Sequence, residues 1–540
     1  MSADGSATVF PMTLLSTSRR TFLREAGLLT AASAVAPAAF AGPVAFAGPA
    51  AFAQAAPSLT LGVQLRLGGG PAGATVPMDF IGLSYEAMQL EDPTFFSPDN
   101  VSLVQQFRLM SPTGVLRLGG NTSEYGWWKP TDASTPPTRT QVYVKDGEPP
   151  PTTIFAITPK AVQNLDGFLK ATGWTCIYGL NLGYGTPESD IPEAIYVFNT
   201  LGPRLQYFQL GNEVDLFKGH LRNPDTWNVN TYLAEWLHIA RAVQKALPAA
   251  KFGMPDVAAD VTWLTQIADR WAAVEDKPNV TTLSHHYYWS GPPKNPNATI
   301  ERLLQPDAKV SAKAALARTA GTAMGKPWRM TEGNTIYQGG KPGLSDAYAS
   351  ALWSADYLLR LMSMGYCGVN LHGGSGHAQA VSVGGMLRGE DLMKDPTTPH
   401  PKPFYTPIAN EGTLAGAGTD GKLNDKYLLE PTGYGMKFAA AFRGATMLPL
   451  DFDPVSLNCS AYAARRPDGK VIVAILNKSA VDDITITAPI FDTIQVLTGP
   501  KLEGNETHLT AVVRETSSRR TAAGQTFILP KHTATLIVLR

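Results

Sequence analysis

Between residues 76 and 444, short apolar runs alternate with amphipathic helical patterns, and this alternation restricts the fold more than any other feature of the chain. Eight runs read as strands, at 80–84, 115–118, 175–180, 207–211, 251–254, 280–286, 328–331 and 366–371. Several break at Gly, Asn or Glu, as buried strands do where they open into functional loops. Helical patterns lie between them. The segment 228–247 carries Leu233, Leu237, Ala240 and Val243 at three- and four-residue steps and stops at Pro248. Segments 344–364 and 432–442 read as further helices. Eight strands alternating with helices fit a closed (β/α)8 barrel with enlarged loops better than an open sheet. The Pro- and Gly-rich stretches 131–153 and 373–431 follow the second and eighth strands, so they are expected on the rim where barrel enzymes work.

Beyond residue 444 the texture changes to short β-branched runs separated by turn residues, at 460–463, 471–477, 484–487, 493–497, 512–515 and 533–539. That pattern predicts an all-β sandwich. The run 58–67 also reads as a strand and is expected to complete that sandwich, tying the chain ends together. The domain reading is therefore an export signal at 1–56, a joining strand at 57–75, a catalytic barrel at 76–444 and a β-sandwich at 445–540. In the first segment, Ser18-Arg19-Arg20-Thr21-Phe22-Leu23-Arg24 resembles the bacterial twin-arginine signal, and 51–55 offers A-x-A cleavage sites. Prolines and glycines interrupt the apolar run 26–56, which disfavours a membrane-spanning helix. The expectation is a periplasmic or secreted protein that leaves the membrane after cleavage.

Lysine plus arginine number 45 against 45 for aspartate plus glutamate, a balance that disfavours nucleic acid or another long polyanion as partner. Cys176, Cys367 and Cys459 have neither a disulfide pattern nor metal-ligand spacing, and the first two read as core thiols. No His/Cys/carboxylate grouping has zinc-like spacing and no Gly-rich phosphate loop follows a strand, so the reading calls for no metal and no cofactor. What remains is carboxylate chemistry. Glu213 falls just past the fourth strand and Glu332 just past the seventh. In a parallel barrel both ends open on one face, on opposing arcs of the ring. Two carboxyls facing each other about 5–5.5 Å apart can hydrolyse a glycosidic bond with retention, one as acid and the other as nucleophile. Burial beside a second carboxylate raises the pKa of the one that must stay protonated.

The residues around these glutamates carry a resemblance. Gln209-Leu210-Gly211-Asn212-Glu213, with Glu332 on the seventh strand, resembles the clan A retaining glycosidases. Leu118-Gly119-Gly120-Asn121-Thr122, Ser284-His285-His286-Tyr287-Tyr288 and the run from Thr331 to Gly340 are similar to glycoside hydrolase family 79, which holds β-glucuronidases and heparanase. The resemblance implies Glu213 as acid/base, Glu332 as nucleophile and Asn212 as the partner of the sugar 2-hydroxyl. It implies a tyrosine that hydrogen-bonds the nucleophile, assigned to Tyr287, and a loop of Tyr337, Gly339 and Gly340 that holds the uronate carboxylate. Neutral donors can grip a carboxylate without a permanent cation, and glycines let the main chain come close. Glu86 and Asn121 stand where the family contacts sugar hydroxyls. Of the adjacent histidines, which face opposite sides of a strand, His285 is assigned to the site. Tyr125, Trp127 and Trp128 are weaker candidates for stacking on sugar rings and His372 and His377 for lining the mouth, while Asp215 reads as orienting its neighbours or capping the following segment.

These residues together imply an exo-acting retaining β-glucuronidase whose partner is a carbohydrate bearing terminal glucuronic acid. An endo-β-glucuronidase on a glycosaminoglycan is an alternative, as is a clan A xylosidase or glucosidase in which 337–340 is only a turn. A non-catalytic sugar-binding barrel is disfavoured by the presence of both glutamates with Asn212 and Tyr287.

Overall fold

All eight apolar runs form strands. The computed structural model describes residues 61–138, 154–384, 403–413, 423–454, 457–511, 519–521 and 524–540. The segment read as an export signal, its cleavage sites and the strand expected at 512–515 lie outside the described residues, as do parts of both long loops. The barrel strands are β1 (Ile81–Glu86), β2 (Val115–Gly119), β3 (Thr175–Leu180), β4 (Leu205–Leu210), β5 (Phe252–Val257), β6 (Val280–Ser290), β7 (Trp328–Ile336) and β8 (Gly368–His372). Neighbours pair in parallel in chain order, and Val369 of β8 returns to Ile81 of β1 to close the ring.

The helices between them form for reasons visible locally. Val229–Ala246 starts from a capping box in which Asn228 accepts from the Asn230 and Thr231 N–H groups and Thr231 reaches back. It buries Leu233, Leu237, Ala240 and Val243, the stripe the periodicity placed inward. The expected helix at 344–364 begins later, at Tyr348, and ends at Ser363.

The largest departure concerns β6 and β7, which run four and five residues past their expected ends. Pairing between the two strands persists through Tyr287↔Gly333 and Tyr288↔Asn334 to Ser290↔Ile336. Between Met330 and Glu332 the register shifts, leaving Thr331 as an extra residue in β7. Such a bulge re-aims the side chains that follow it. Glu332 therefore lies within a strand, paired with His286 of β6, and not in a loop beyond it.

The C-terminal strands build two sheets. Among the described residues, one sheet runs in the order Leu450–Phe452, Leu61–Leu67, Ile484–Ala488, Gly524–Leu529 and Arg519–Thr521. The other runs Thr446–Leu448, Cys459–Arg465, Val471–Asn477, Thr533–Leu539, Phe491–Thr498 and His508–Ala511. Val63, Leu65, Val473, Ile475, Ile486, Phe527 and Ile537 share the core between them, which makes a sandwich. The N-terminal strand does complete it, antiparallel to Leu450–Phe452 and parallel to Ile484–Ala488. Barrel and sandwich belong to one compact unit, Ser58–Arg540. Asp356, on the helix Tyr348–Ser363, joins them by accepting from Lys478 Nζ at 2.5 Å, Ser460 Oγ at 2.5 Å and Tyr462 Oη at 2.8 Å. The Lys478 side chain is 4% exposed. Asp356→Ala strands that ammonium in the junction and should lower the free energy of unfolding by about 3 kcal/mol. A urea titration checks this, and a loss below about 1 kcal/mol would mean that water reaches Lys478 freely.

Candidate active site

The barrel mouth is organised around a buried cation. Arg117 lies on β2 and is fully buried, in a strand that is otherwise apolar. Its Nη1 donates to Glu332 Oε2 at 2.6 Å and to Ser84 Oγ at 3.0 Å. Its Nη2 donates to Asn212 Oδ1 at 2.6 Å and to Asp256 Oδ2 at 2.5 Å. One planar guanidinium thus fixes groups past the end of β4, at the end of β5 and within β7, a geometry that a lysine could not supply.

Glu213 sits just past β4 with φ 51° and ψ 47°. A left-handed backbone at a non-glycine residue costs about 1–3 kcal/mol and persists only where its surroundings impose it. Here the Glu213 N–H donates to the Asp256 carbonyl at 2.9 Å. The preceding Asn212 N–H donates to Glu124 Oε1 at 2.7 Å, while Glu124 Oε2 accepts from the Leu182 and Gly183 N–H groups at 2.9 and 2.6 Å. Asp215 in turn accepts the N–H groups of residues 258–260 at 2.7–2.9 Å, tying the β4 loop to the β5 loop. Of the two readings of Asp215, the orienting one fits these contacts.

The two carboxyls face one another with reacting atoms within 4.8 Å, as the strand positions required. Their surroundings push them apart in acidity. Burial dominates at Glu213 and raises it above the ordinary carboxylate value, aided by Glu332 and opposed by His286. Burial also acts on Glu332, but His372, His286 and Arg117 outweigh it, with a hydrogen bond from Tyr288, and hold it down at about 2. At neutral pH Glu332 is ionised, and Glu213 is the better proton donor of the two.

His286 Nδ1 lies 3.2 Å from Glu213 Oε1, and its Nε2 lies 3.2 Å from Asp256 Oδ2. Burial opposes charge on this ring, yet Asp256, Glu332 and Glu213 together lift it to about 10. Glu213, His286 and Glu332 are close enough to hold a metal ion. Each of the three already faces a protein partner, Glu332 taking Arg117 and Tyr288, Glu213 lying against His286, and His286 also lying against Asp256.

Two assignments on β6 are corrected. Tyr288, and not Tyr287, donates to Glu332 Oε1, at 2.8 Å. Tyr287 points outward, with its hydroxyl on Asp307 and its ring 5.8 Å from Tyr357. Likewise His286 faces the mouth, while His285 packs on Tyr366 at 2.8 Å and is held neutral, by burial first, at about 3. Both corrections have one cause, the period-two alternation of a strand. The odd positions, Leu283, His285, Tyr287 and Trp289, form the bulkier, more apolar set, and in a barrel that set packs against the surrounding helices. The even set, Thr282, Ser284, His286 and Tyr288, is polar and turns inward.

Glu86 is buried at the mouth, its Oε2 taken by the Thr122 N–H at 2.9 Å and Thr122 Oγ1 at 2.7 Å, its Oε1 by Ser382 Oγ at 2.6 Å. His372 Nε2 is 3.3 Å from Glu86, and its Nδ1 is 3.7 Å from Glu332. Asn121 is exposed and donates to Ser382 Oγ at 3.4 Å. Tyr337 is 40% exposed, with its ring edge-on to Tyr288 at 6.4 Å. Gln338, Gly339 and Gly340 all have left-handed φ, at 60°, 85° and 89°. A Cβ at Gly340 would stand 2.8 Å from the Tyr405 nitrogen, so only glycine fits there. Tyr125 is buried, and Trp128 packs on Tyr196 at 4.9 Å, so neither is a free platform for a sugar.

No protein-family model matches the chain. A β-glucuronidase of Aspergillus niger is 26% identical over 340 residues, 57% of this chain and 61% of that protein. A β-glucuronidase of Neurospora crassa is 30% identical over 303 residues, 49% of this chain and 51% of that protein. The resemblance to family 79 holds. The chain spans about half to three fifths of the length of these curated relatives. Among solved structures, a 4-O-α-L-rhamnosyl-β-D-glucuronidase of Fusarium oxysporum superposes with a TM-score of 0.65 at 17% identity, over 89% of this chain and all of that one. A family 51 arabinofuranosidase of Xanthomonas axonopodis superposes at 0.60 and 18% identity, over the same shares. At these identities the structural likeness establishes the fold alone, a (β/α)8 barrel with an all-β domain.

The site separates the two tyrosines. Tyr288→Phe takes a donor from Glu332 and should slow turnover of an aryl β-glycoside by about 100-fold, the scale of a lost active-site donor. Tyr287→Phe should leave that rate within about threefold. Equal rates in the two variants would contradict the orientation of β6.

Proposed function

We propose that the chain is a retaining exo-β-glucuronidase that removes terminal β-linked glucuronic acid by double displacement, with Glu213 as acid/base and Glu332 as nucleophile. The observation that carries this reading is the pair itself: carboxyls within 4.8 Å of each other, one raised in pKa and the other held at about 2. That separation is short enough for direct attack on the anomeric carbon and leaves no room for the water an inverting enzyme needs. In the first step Glu332 attacks while Glu213 protonates the leaving oxygen. In the second, Glu213 takes a proton from water, which displaces the sugar from Glu332. His286 donating to Glu213 suits the ionised state that Glu213 enters between the steps.

The glucuronide assignment draws on the β-glucuronidase relatives and on the left-handed loop from Gln338 to Gly340 beside Tyr337. An exo mode is supported by Ser382, which bridges Glu86 at the end of β1 and Asn121 past β2 and so ties the segment after β8 to that part of the mouth. The endo reading differs in its product. Release of free glucuronic acid from oligosaccharides supports the exo mode, and internal cuts would replace it. Export by a twin-arginine route, and the boundaries 57–75, 76–444 and 445–540, belong to this proposal on the sequence pattern.

A panel of 4-nitrophenyl β-glycosides tests the substrate class. Turnover of the glucoside or xyloside with none of the glucuronide would overturn the uronate assignment. Glu332→Gln should abolish turnover, and Glu213→Ala should regain part of its rate when azide is added; a near-normal rate in Glu332→Gln would refute the roles.

The pH profile follows from the same pair. Glu332 must be ionised, so kcat/KM should fall on the acid side only as pH approaches about 2 or the protein unfolds. Glu213 must be protonated, so activity is lost as pH rises through its elevated pKa. Glu213→Ala, assayed with a good leaving group, should lose that basic limb.

A further inference from the structure

One buried acid touches neither face of the reaction and yet meets Arg117 and His286, two of the groups that hold the carboxylate pair. Asp256, at the end of β5, is fully buried and has φ 64°, so its own backbone is forced. Its Oδ2 accepts from Arg117 Nη2 at 2.5 Å, and Arg117 in turn holds Glu332 and Asn212. The same oxygen lies 3.2 Å from His286 Nε2, and His286 contacts Glu213 through its other nitrogen. Its Oδ1 accepts from the Thr331 hydroxyl, on the bulge that aims Glu332. Its carbonyl accepts the Glu213 N–H at 2.9 Å.

We infer that Asp256 is a positioning residue for this pair: it is the shared anion that allows two cations, Arg117 and His286, to stand side by side in the barrel mouth, one holding Glu332 and the other Glu213. The inference rests on the carboxylate reading of the site and extends it to a residue one layer below. Without the anion, two neighbouring buried cations would repel each other, and the softer one would lose its proton. A guanidinium does not deprotonate, so the imidazole is the group that gives way.

The charged and titratable groups around this anion are Arg117 from β2, His286 and the outward His285 from β6, Tyr207 from β4 and Tyr232 from the helix Val229–Ala246. Facing the His286 ring are Glu213 from the β4 end, Asp256 from β5 and Glu332 from β7. The positive ring matters because it donates to Glu213 when that group is ionised and shields it from Glu332. A neutral ring could do so in only one tautomer.

The test is the titration of the ring itself. The chain has nine histidines, so 13C-labelled imidazole signals can be followed through pH, with His286→Gln identifying the signal that disappears. In the wild-type protein this ring should stay an imidazolium to about pH 9. In Asp256→Asn it should titrate at least one unit lower. A ring neutral at pH 7 in the wild type, or an unchanged titration in Asp256→Asn, overturns the proposal. If Asp256→Asn does not fold, the wild-type titration keeps the proposal falsifiable, since a ring neutral at pH 7 overturns it.

Kinetics supply the second arm, on whichever glycoside the wild type turns over. Asp256→Asn should lower kcat on the order of 100-fold with little change in KM, and should displace the basic limb that Glu213 sets in the wild type. In a His286→Gln background the same substitution should cost clearly less, because the two act through one contact. Fully additive losses would overturn the link through His286. A wild type inactive on every glycoside would refute the proposed function while leaving the ring titration to decide the role of Asp256.

Discussion

The contact on which the site depends is the fork of Arg117 inside the barrel. Removing a guanidinium from water is costly and is offset only by charged, well-directed partners. Two carboxylates, an amide oxygen and a hydroxyl meet that need, from Glu332, Asp256, Asn212 and Ser84. The partners come from β7, the β4 end, β5 and β1, so one side chain ties together half the ring. The same demand explains why β2 carries Gly119 after Arg117: a Cβ there would stand 2.3 Å from the guanidinium carbon. A charge that has to be neutralised thereby fixes which groups the barrel mouth can contain.

Around this fork each glutamate is defined by its neighbours. Glu332 lies among cations and a phenol, which keep it charged. Glu213 is buried with a weaker set of opposing charges, which leaves it the proton carrier. The forced backbone at Glu213 and at Asp256, joined by a main-chain hydrogen bond, keeps their side chains converging on the same small volume. Strain at one residue is borne by hydrogen bonds from its neighbours, as in Glu124 capping three amides across two loops.

Much of this was legible in the sequence because it depends on order along the chain. The barrel follows from alternating periodicities, and Asn212, Glu213 and Glu332 follow from strand ends. Facing direction was less legible. On β6 the assignments to His285 and Tyr287 chose the wrong parity, although the apolar set at 283, 287 and 289 marks the outward face. The bulge at Thr331 left no pattern that periodicity could detect. Arg117 did leave one, a charged residue inside the apolar run 115–118, since such a charge requires a buried partner. Its partners could not be named from the sequence, because they converge only after the ring closes.

The strand Leu61–Leu67 has a consequence for how the protein is made. It is the earliest described segment of the chain, yet it lies between Leu450–Phe452 and Ile484–Ala488, strands synthesised near the end. Until those emerge from the ribosome, its hydrogen-bonding edges have no native partner. The barrel can close earlier, but the sandwich is a late event dominated by contacts distant in sequence, the kind that form slowly. During that interval the nascent chain carries an unpaired β segment at its leading end, a template for wrong pairing that a chaperone would have reason to cover.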